Sequence, residues 1–175
     1  MEILLKRIVM VTDPSKILQT EPSILIILMG SLGDLIRGLC LVSHIKNNLP
    51  KCRVTWLVEP AWVELISFHP QIDKMIVFDR PRNVFGLWKL YKNLSQKHFD
   101  IALDLQRHFK SGFFSLLSGA KRRIGFNRKN AKEFNWIFNN QHIEEISDEL
   151  SLPKWRHYLK FAKYLGLPEP AFLDF

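Results

Sequence analysis

Apolar residues along the chain follow two alternating patterns, short continuous runs and longer stretches in which they recur every three or four positions. The first continuous run, SILIILMG at positions 23–30, contains no alternating polar residues, which is typical of a strand covered on both faces of a parallel sheet. The segment 34–47 then carries apolar residues with helical spacing, at positions 35, 39, 42 and 45. These positions predict a buried strand followed by a helix that ends before Pro50.

The same alternation continues to the end of the chain. Further strands are predicted at 53–59, 74–79, 99–106 and 122–127, and further helices at 61–69, 83–98, 111–120 and 153–167. Strands that alternate with helices at this spacing predict an α/β fold, a mainly parallel sheet flanked by helices. The segment 139–152, which holds the main acidic cluster, is predicted to be a loop.

Three segments are expected from this pattern. Residues 1–22 are predicted to form an amphipathic leader, residues 23–168 one domain, and residues 169–175 the opening of a linker. A chain of 175 residues is long enough for one domain with its own core. Its two cysteines, Cys40 and Cys52, lie in apolar contexts and are predicted to be buried free thiols.

Charge adds a feature that the apolar pattern does not show. The chain has 25 basic and 17 acidic residues, and residues 105–132 include eight Lys or Arg and no Asp or Glu. Such a stretch attracts anions, which include nucleic acid, acidic lipid headgroups and phosphorylated sugars. Charge alone does not choose among them.

The turn after the first predicted strand is the first candidate for chemistry. It reads Gly30-Ser31-Leu32-Gly33-Asp34, and in a doubly wound sheet ligands bind at turns of this kind. Glycine allows a ligand to approach the backbone, and the free N–H groups of the next helix can receive a phosphate. Asp34 could equally just stabilise the helix start. No Lys-Ser/Thr pair follows Gly33, so a nucleotide triphosphatase is disfavoured.

A second group of polar residues lies at the end of the fourth predicted strand, in the segment that follows it and at the start of the fifth predicted strand. Its members are Asp104, Gln106, Lys110, Ser111, Lys121, Arg122 and Arg123. They are either a solvated basic face or an anion-binding rim. The six histidines do not fall at metal-ligand spacing, so no metal site is predicted. The aromatic residues at 155, 158, 161 and 164 are predicted to pack one face of the last helix.

Several blocks in order carry a family resemblance. The blocks GSLGDLIRGLCLVSHIKNN, FDIALDLQRHFKSG, KRRIGFNRKNAKEFNWIFNN and WRHYLKFAKYLGLP resemble bacterial glycosyltransferase family 9, the heptosyltransferases of lipopolysaccharide core synthesis. The resemblance covers residues 24 to about 168. It implies a Rossmann-like N-terminal domain of a GT-B enzyme, in which this domain holds the acceptor and a C-terminal domain, absent from the sequence, holds most of the sugar nucleotide.

The resemblance also implies roles for individual residues. The family's Ser-x-Gly-Asp turn falls on Ser31, Leu32, Gly33 and Asp34, with Asp34 as the general base of a metal-independent inverting transfer. Ser31, Leu32 and Gly33 of this turn are expected to bind substrate. Residues expected to help bind an anionic acceptor are Gln106, Lys110, Ser111, Arg122 and Arg123. Arg107 stands where the family usually has glycine.

The implied partners are an anionic glycolipid acceptor and an ADP-heptose-like donor, which is a substrate, so no cofactor is expected. A separate polypeptide could supply the C-terminal half. The implied location is the cytoplasm, peripheral to the cytosolic face of the inner membrane. Two alternatives stay open: a non-catalytic remnant that binds acceptor or a partner chain, and a basic nucleic-acid-binding module. The second lacks any helix-turn-helix, zinc-finger or ribonucleoprotein motif.

Overall fold

The computed structural model describes residues 21–79, 84–148 and 150–170. Six parallel strands form one sheet in the order β3-β2-β1-β4-β5-β6. The strands are β1 Ser23–Ile27, β2 Arg53–Val58, β3 Lys74–Val77, β4 Ile101–Asp104, β5 Arg122–Gly125 and β6 Gln141–His142. The helices are α1 Leu32–Asn48, α2 Val63–Ser67, α3 Val84–Ser95, α4 Phe109–Leu117 and α5 Lys154–Tyr164, with 3₁₀ turns at Pro60–Trp62 and Asn135–Phe138.

Strand order and side-chain burial confirm the predicted doubly wound α/β fold. Alternate residues of β1 enter two separate cores, Ile24 and Ile26 on one face of the sheet and Leu25 and Ile27 on the other. Helices α1, α2 and α5 cover the first face, and α3 and α4 cover the second. Because both faces are covered, the strand shows a continuous apolar run instead of alternation.

All five predicted strands and all five predicted helices are present, but the strands end earlier than the apolar runs. Leu28, Met29 and Leu105 lie beyond the ends of β1 and β4 and are at most 2% exposed. These residues are buried without belonging to the strand pairing, so hydrophobicity alone overestimates strand length.

Strand β6 corrects the prediction of a loop at 139–152. Gln141 and His142 pair with Ile124 and Gly125 at the edge of the sheet. A two-residue edge strand made of polar residues has no apolar run to reveal it. The predicted leader lies almost entirely outside the described residues, as do residues 171–175 of the predicted linker.

Cys40 and Cys52 are buried free thiols, as predicted. Burial raises the pKa of Cys40 to about 11, so this thiol is protonated and unreactive at neutral pH. None of the helices within the described ranges is long and apolar enough to cross a membrane.

Candidate functional site

A pocket of about 440 Å³ lies at the carboxyl ends of β1, β2 and β4. This is the point where the strand order reverses, because β1 is followed along the chain by β2 on one side and lies beside β4 on the other. Ligands of doubly wound sheets bind at this switch point. The lining residues are Leu28, Gly30, Ser31, Asp34, Glu59, Trp62, Leu105, Gln106, Arg107, His108, Lys132, Lys154, His157 and Tyr158.

Asp34 lies in the first turn of α1 and on the pocket wall, where the sequence predicted it. Its Oδ1 is 3.3 Å from both Arg37 Nη1 and Lys154 Nζ. Ser31, the N-cap residue, donates from Oγ to Asp34 Oδ2 at 3.4 Å. The side chain is 23% exposed. This carboxylate can therefore be reached from the pocket, and it also occupies a position that stabilises the start of a helix.

Helix α5 packs against α1 and supplies a further part of the pocket wall. Tyr158 is 5% exposed, and its burial, followed by the negative charge of Asp34, raises the pKa of the phenol well above its ordinary value; a hydrogen bond to Asp34 acts in the same direction. Lys154, His157 and Tyr158 project from one face of α5 into the pocket. Two helices that are far apart in the sequence thus hold one carboxylate between them.

Arg107 occupies the position where the resembled family usually has glycine. Its φ is +70°, a left-handed conformation that glycine adopts without steric cost. Its guanidinium lies 4.1 Å from the centroid of the Phe126 ring and donates from Nη2 to His157 Nδ1 at 2.9 Å. These contacts account for how an arginine is retained in this conformation beside the pocket.

Gln106 lines the pocket, as expected, but its side chain also holds two loops together. The Met29 N–H donates to Gln106 Oε1 at 2.7 Å, and Gln106 Nε2 donates to the Gly30 carbonyl at 3.2 Å. The loop after β4 is thereby fastened to the loop after β1. Gln106 positions the turn that carries Asp34.

Lys110 lies beside the pocket and pairs with one of its acidic residues. Its Nζ is 2.7 Å from Glu59 Oε1 and 4.9 Å from the centroid of the Phe78 ring. Glu59 follows β2 and lines the pocket, which Lys110 itself does not. The Lys and Arg side chains that do line the pocket are Arg107, Lys132 and Lys154.

Ser111 lies inside the fold and not on the pocket wall. It is fully buried, and its Oγ donates to the His108 carbonyl at 2.8 Å. The same interior network includes Asp104, which is also fully buried and accepts hydrogen bonds from the Asn135 side chain and, at 3.2 Å, from the Gln106 N–H. This network fixes the start of α4 and leaves Ser111 no exposed surface for an acceptor.

Asp104 gives a prediction about pH. Burial raises the pKa of its carboxyl above the ordinary value, and hydrogen bonds from Asn135 and Ser111 oppose the rise. The folded protein therefore holds this proton over a pH range in which the unfolded chain has lost it. As a result, the free energy of unfolding falls as pH rises from the ordinary Asp value through the folded-state pKa.

An Asp104→Asn variant cannot ionise at this position. We therefore expect its stability deficit relative to the wild type to shrink as pH rises above the ordinary Asp pKa of about 4, measured by urea unfolding. Asp73→Asn is the matched control with the opposite sign. Burial acts to raise the pKa of Asp73, but its hydrogen bonds with Lys46 and the Val54 N–H hold it below the ordinary value. A pH-independent deficit for Asp104→Asn would contradict the prediction.

Arg122 and Arg123 are not brought to the pocket. They begin β5, and Arg122 is in register with Ile101, the first residue of β4, so both lie at the amino end of the sheet, opposite Asp34. Arg122 is 4% exposed and donates from Nε to Gln141, while Arg123 donates to the Phe138 carbonyl. Their expected contact with an acceptor at this pocket is not supported by their position.

Sequence reasoning did not identify the contribution of α5. Lys154, His157 and Tyr158 have the helical spacing i, i+3 and i+4. This spacing puts them on one face of α5, but the sequence does not say whether that face meets α1. The aromatic stripe was predicted as packing, and Phe161 is fully buried as expected, whereas Tyr158 reaches the pocket. Within the described residues, no His, Cys, Asp or Glu groups are arranged to hold a metal ion.

Comparisons with known proteins show which proteins this chain is similar to in sequence and in fold. The profile of glycosyltransferase family 9 (heptosyltransferase) matches residues 87–173. The lipopolysaccharide core heptosyltransferase OpsX of Haemophilus influenzae is 33% identical over 151 residues, which are 86% of this chain and 42% of the relative.

Solved structures of similar fold include the Escherichia coli heptosyltransferase WaaC with ADP-2-deoxy-2-fluoro heptose (TM-score 0.73, 20% identity, 86% of this chain and 50% of that one). A family 9 glycosyl transferase from Veillonella parvula is also similar (TM-score 0.72, 18% identity, 85% of this chain and 43% of that one). The chain thus spans half or less of the length of these proteins. The matched profile, the sequence of the relative and the similar fold agree, and the chain belongs to glycosyltransferase family 9.

Proposed function

We propose that this chain is the acceptor-side domain of a heptosyltransferase-like enzyme. It would hold an anionic lipopolysaccharide core acceptor while a sugar is transferred to it from an ADP-heptose-like donor. The observation that carries the proposal is the position of Asp34 on the wall of the switch-point pocket, beside the cationic side chain of Lys154. The related proteins are a lipopolysaccharide core heptosyltransferase and a heptosyltransferase with bound ADP-2-deoxy-2-fluoro heptose, which supports this class of substrate for those proteins.

The proposed chemistry assigns Asp34 the role of general base. An inverting transfer needs the acceptor hydroxyl to lose its proton as the oxygen attacks the anomeric carbon, and a partly exposed carboxylate at the pocket wall can take that proton. Arg37 and Lys154 each form an ion pair with Asp34 at 3.3 Å, and these two contacts hold the carboxylate at the pocket wall. The family resemblance is the basis for proposing that the step needs no metal or cofactor.

Cations on the wall suit a phosphorylated or carboxylated acceptor. Arg107 can form bidentate contacts with an anion, and Lys132 and Lys154 act as point charges. The Lys132 N–H donates to the Arg107 carbonyl at 2.9 Å, which keeps these two cations on neighbouring backbone. Gln106 contributes indirectly by holding the Asp34 turn.

Acceptor binding by the 175-residue chain tests this proposal. We expect a heptose-free lipopolysaccharide core to bind the chain in calorimetric titration, and Lys132→Glu to weaken the affinity by roughly tenfold, the effect of reversing one charge in contact with an anion. Lys121→Glu, on an exposed residue at the opposite end of the sheet, is the matched control. Binding that is unaffected by Lys132→Glu, or that is displaced equally by duplex DNA, would contradict the assignment.

Sugar transfer by the chain alone is expected to be very slow or undetectable. The groups that would hold the donor's base, ribose and diphosphate are expected in a second domain, and without that binding energy the donor is not oriented for attack. The measurement is steady-state release of ADP from ADP-heptose in the presence of acceptor. Steady turnover by the purified 175-residue chain would show that this domain suffices.

A further inference from the structure

Helix α4 and the 3₁₀ turn Asn135–Phe138 present an exposed apolar surface, the aromatic patch. Its exposed members are Phe109, Phe113, Leu116, Phe134 and Ile137, and the half-buried Phe138 packs among them. Positions 109, 113 and 116 are spaced to share one face of α4, while Phe114 on another face of the helix is buried.

The two elements of the aromatic patch are in direct contact. The Phe138 ring is 4.9 Å from the Phe109 ring, at an interplanar angle of 90°, and 6.3 Å from the Phe113 ring. Phe109 is 50% exposed, Phe134 71% and Ile137 54%. Contiguous exposed apolar groups of this kind mark interaction surfaces, unlike single exposed leucines.

Phe134 has a left-handed backbone conformation, which is unfavourable for a bulky residue. Its φ is +56° and that of Glu133 is +50°, a region that bulky L residues rarely occupy. The Asn135 N–H donates to the Lys132 carbonyl and the Ile137 N–H to the Phe134 carbonyl, so the turn is fixed by backbone hydrogen bonds. Because Phe134 remains mostly exposed, its ring is presented outward at a backbone cost that glycine would avoid.

Two cations lie beside the turn of the aromatic patch and form a basic rim. Arg128 and Lys132 are exposed, and the Arg128 guanidinium lies 4.9 Å from the centroid of the Trp136 ring in the same turn. Glu133 is the one acidic residue between Leu105 and Phe138, and it is held by hydrogen bonds to His108 and to the Phe109 N–H. This basic rim favours an anionic partner and opposes pairing with a second copy of a chain that carries a net charge of +8.

We propose that the aromatic patch docks on an anionic lipid bilayer by inserting its rings at the level of the headgroups. Aromatic side chains favour the membrane interface, and exposed Lys and Arg strengthen binding to acidic lipids. His108 and Lys132, on the pocket wall, directly precede Phe109 and Glu133–Phe134 of this surface. Docking would therefore open the pocket close to the headgroups. Only this last consequence rests on the proposed function, because binding to lipid does not require transfer.

Vesicle co-sedimentation of the 175-residue chain tests the docking surface. We expect binding to vesicles that contain phosphatidylglycerol, weaker binding at high salt, and little binding to pure phosphatidylcholine. Phe113→Ser combined with Ile137→Ser should weaken the partition into anionic vesicles by at least roughly tenfold, because two apolar side chains no longer enter the interface. The matched control is Phe68→Ser, on a residue 85% exposed beyond α2 in the other half of the sheet, which should leave binding unchanged.

Phe134→Gly separates docking from folding. Glycine tolerates the positive φ, so the melting temperature should stay the same or rise, while vesicle binding should fall. A structural role for Phe134 would instead lower the melting temperature. Circular dichroism checks the fold of each variant.

Three results would overturn the proposal. The chain could fail to bind anionic vesicles, or it could bind them equally well in the patch variants and the wild type, in which case charge alone is responsible. Sedimentation velocity could show a wild-type dimer that Phe113→Ser dissociates, with no vesicle binding, in which case a second copy covers the patch. None of these measurements depends on sugar transfer, so they test the docking surface even if the proposed transferase function is wrong.

Discussion

Asp34→Asn is expected to abolish sugar transfer by a protein in which this chain is completed with the sugar-nucleotide half of a family 9 enzyme. Asparagine has nearly the same shape, and its oxygen can still accept hydrogen bonds from Arg37 and Lys154, which lie 3.3 Å from the present carboxylate. It cannot accept the proton of an attacking hydroxyl. Loss of a general base lowers kcat by about 10²- to 10⁴-fold, whereas acceptor affinity should change little.

The measurement is the rate of ADP release from ADP-heptose at saturating acceptor, with acceptor affinity measured separately by calorimetry. ADP binding by the variant shows that the added half is folded. Glu64→Gln is the matched control, because Glu64 is an exposed carboxylate in the first turn of α2 and does not line the pocket. It should retain the wild-type rate.

The same variant distinguishes the two interpretations of Asp34. If the carboxylate only stabilises the start of α1, Asp34→Asn should lower the free energy of unfolding by about 0.3–1 kcal/mol and leave transfer intact. If it is the base, the rate falls far more than stability explains. Equal rates in wild type and variant would remove Asp34 from the mechanism.

The backbone layout was predictable because the sheet is covered on both faces. A continuous run such as 23–30 predicts a strand in a two-sided core, which the structure confirms over Ser23–Ile27, and the spacing of Leu35, Val42 and Ile45 predicts a buried helical stripe. The edge strand at Gln141–His142 was not predictable in this way, since its stability comes from pairing with β5 and not from its own side chains.

The candidate site was predictable only where it lies close to a strand end. Asp34 and Gln106 follow β1 and β4 directly, so switch-point geometry places them at the pocket. Lys154 and Tyr158 come from a helix about 120 residues further along the chain, and their arrival depends on how α5 packs against α1. The position of Arg122 was not predictable in this way, because it lies at the amino end of β5 and charge patterning does not show at which end of a strand a residue lies.

Trp56→Ala is expected to lower the free energy of unfolding by about 3–5 kcal/mol, a large share of the stability of a single domain. Trp56 is fully buried in the core beneath α1, and its Nε1 donates to the Leu28 carbonyl at 2.7 Å. A Cβ on Gly38 would lie only 3.0 Å from the indole, so α1 packs closely on this ring. Truncation would leave a cavity and a buried carbonyl without its donor.

Far-UV circular dichroism in urea measures this loss without relying on the removed fluorophore. Trp56→Phe keeps most of the ring volume but loses the hydrogen bond, so its loss of unfolding free energy should be intermediate. Trp155→Ala, on a half-buried residue of α5, should lower the free energy of unfolding less than Trp56→Ala does. Because Leu28 lines the pocket, Trp56→Ala should also weaken acceptor binding at temperatures where the variant remains folded. If Trp56→Ala lowers the free energy of unfolding by less than about 1 kcal/mol, α1 must close over the vacated space. In that case Trp56 does not support the helix that carries Asp34.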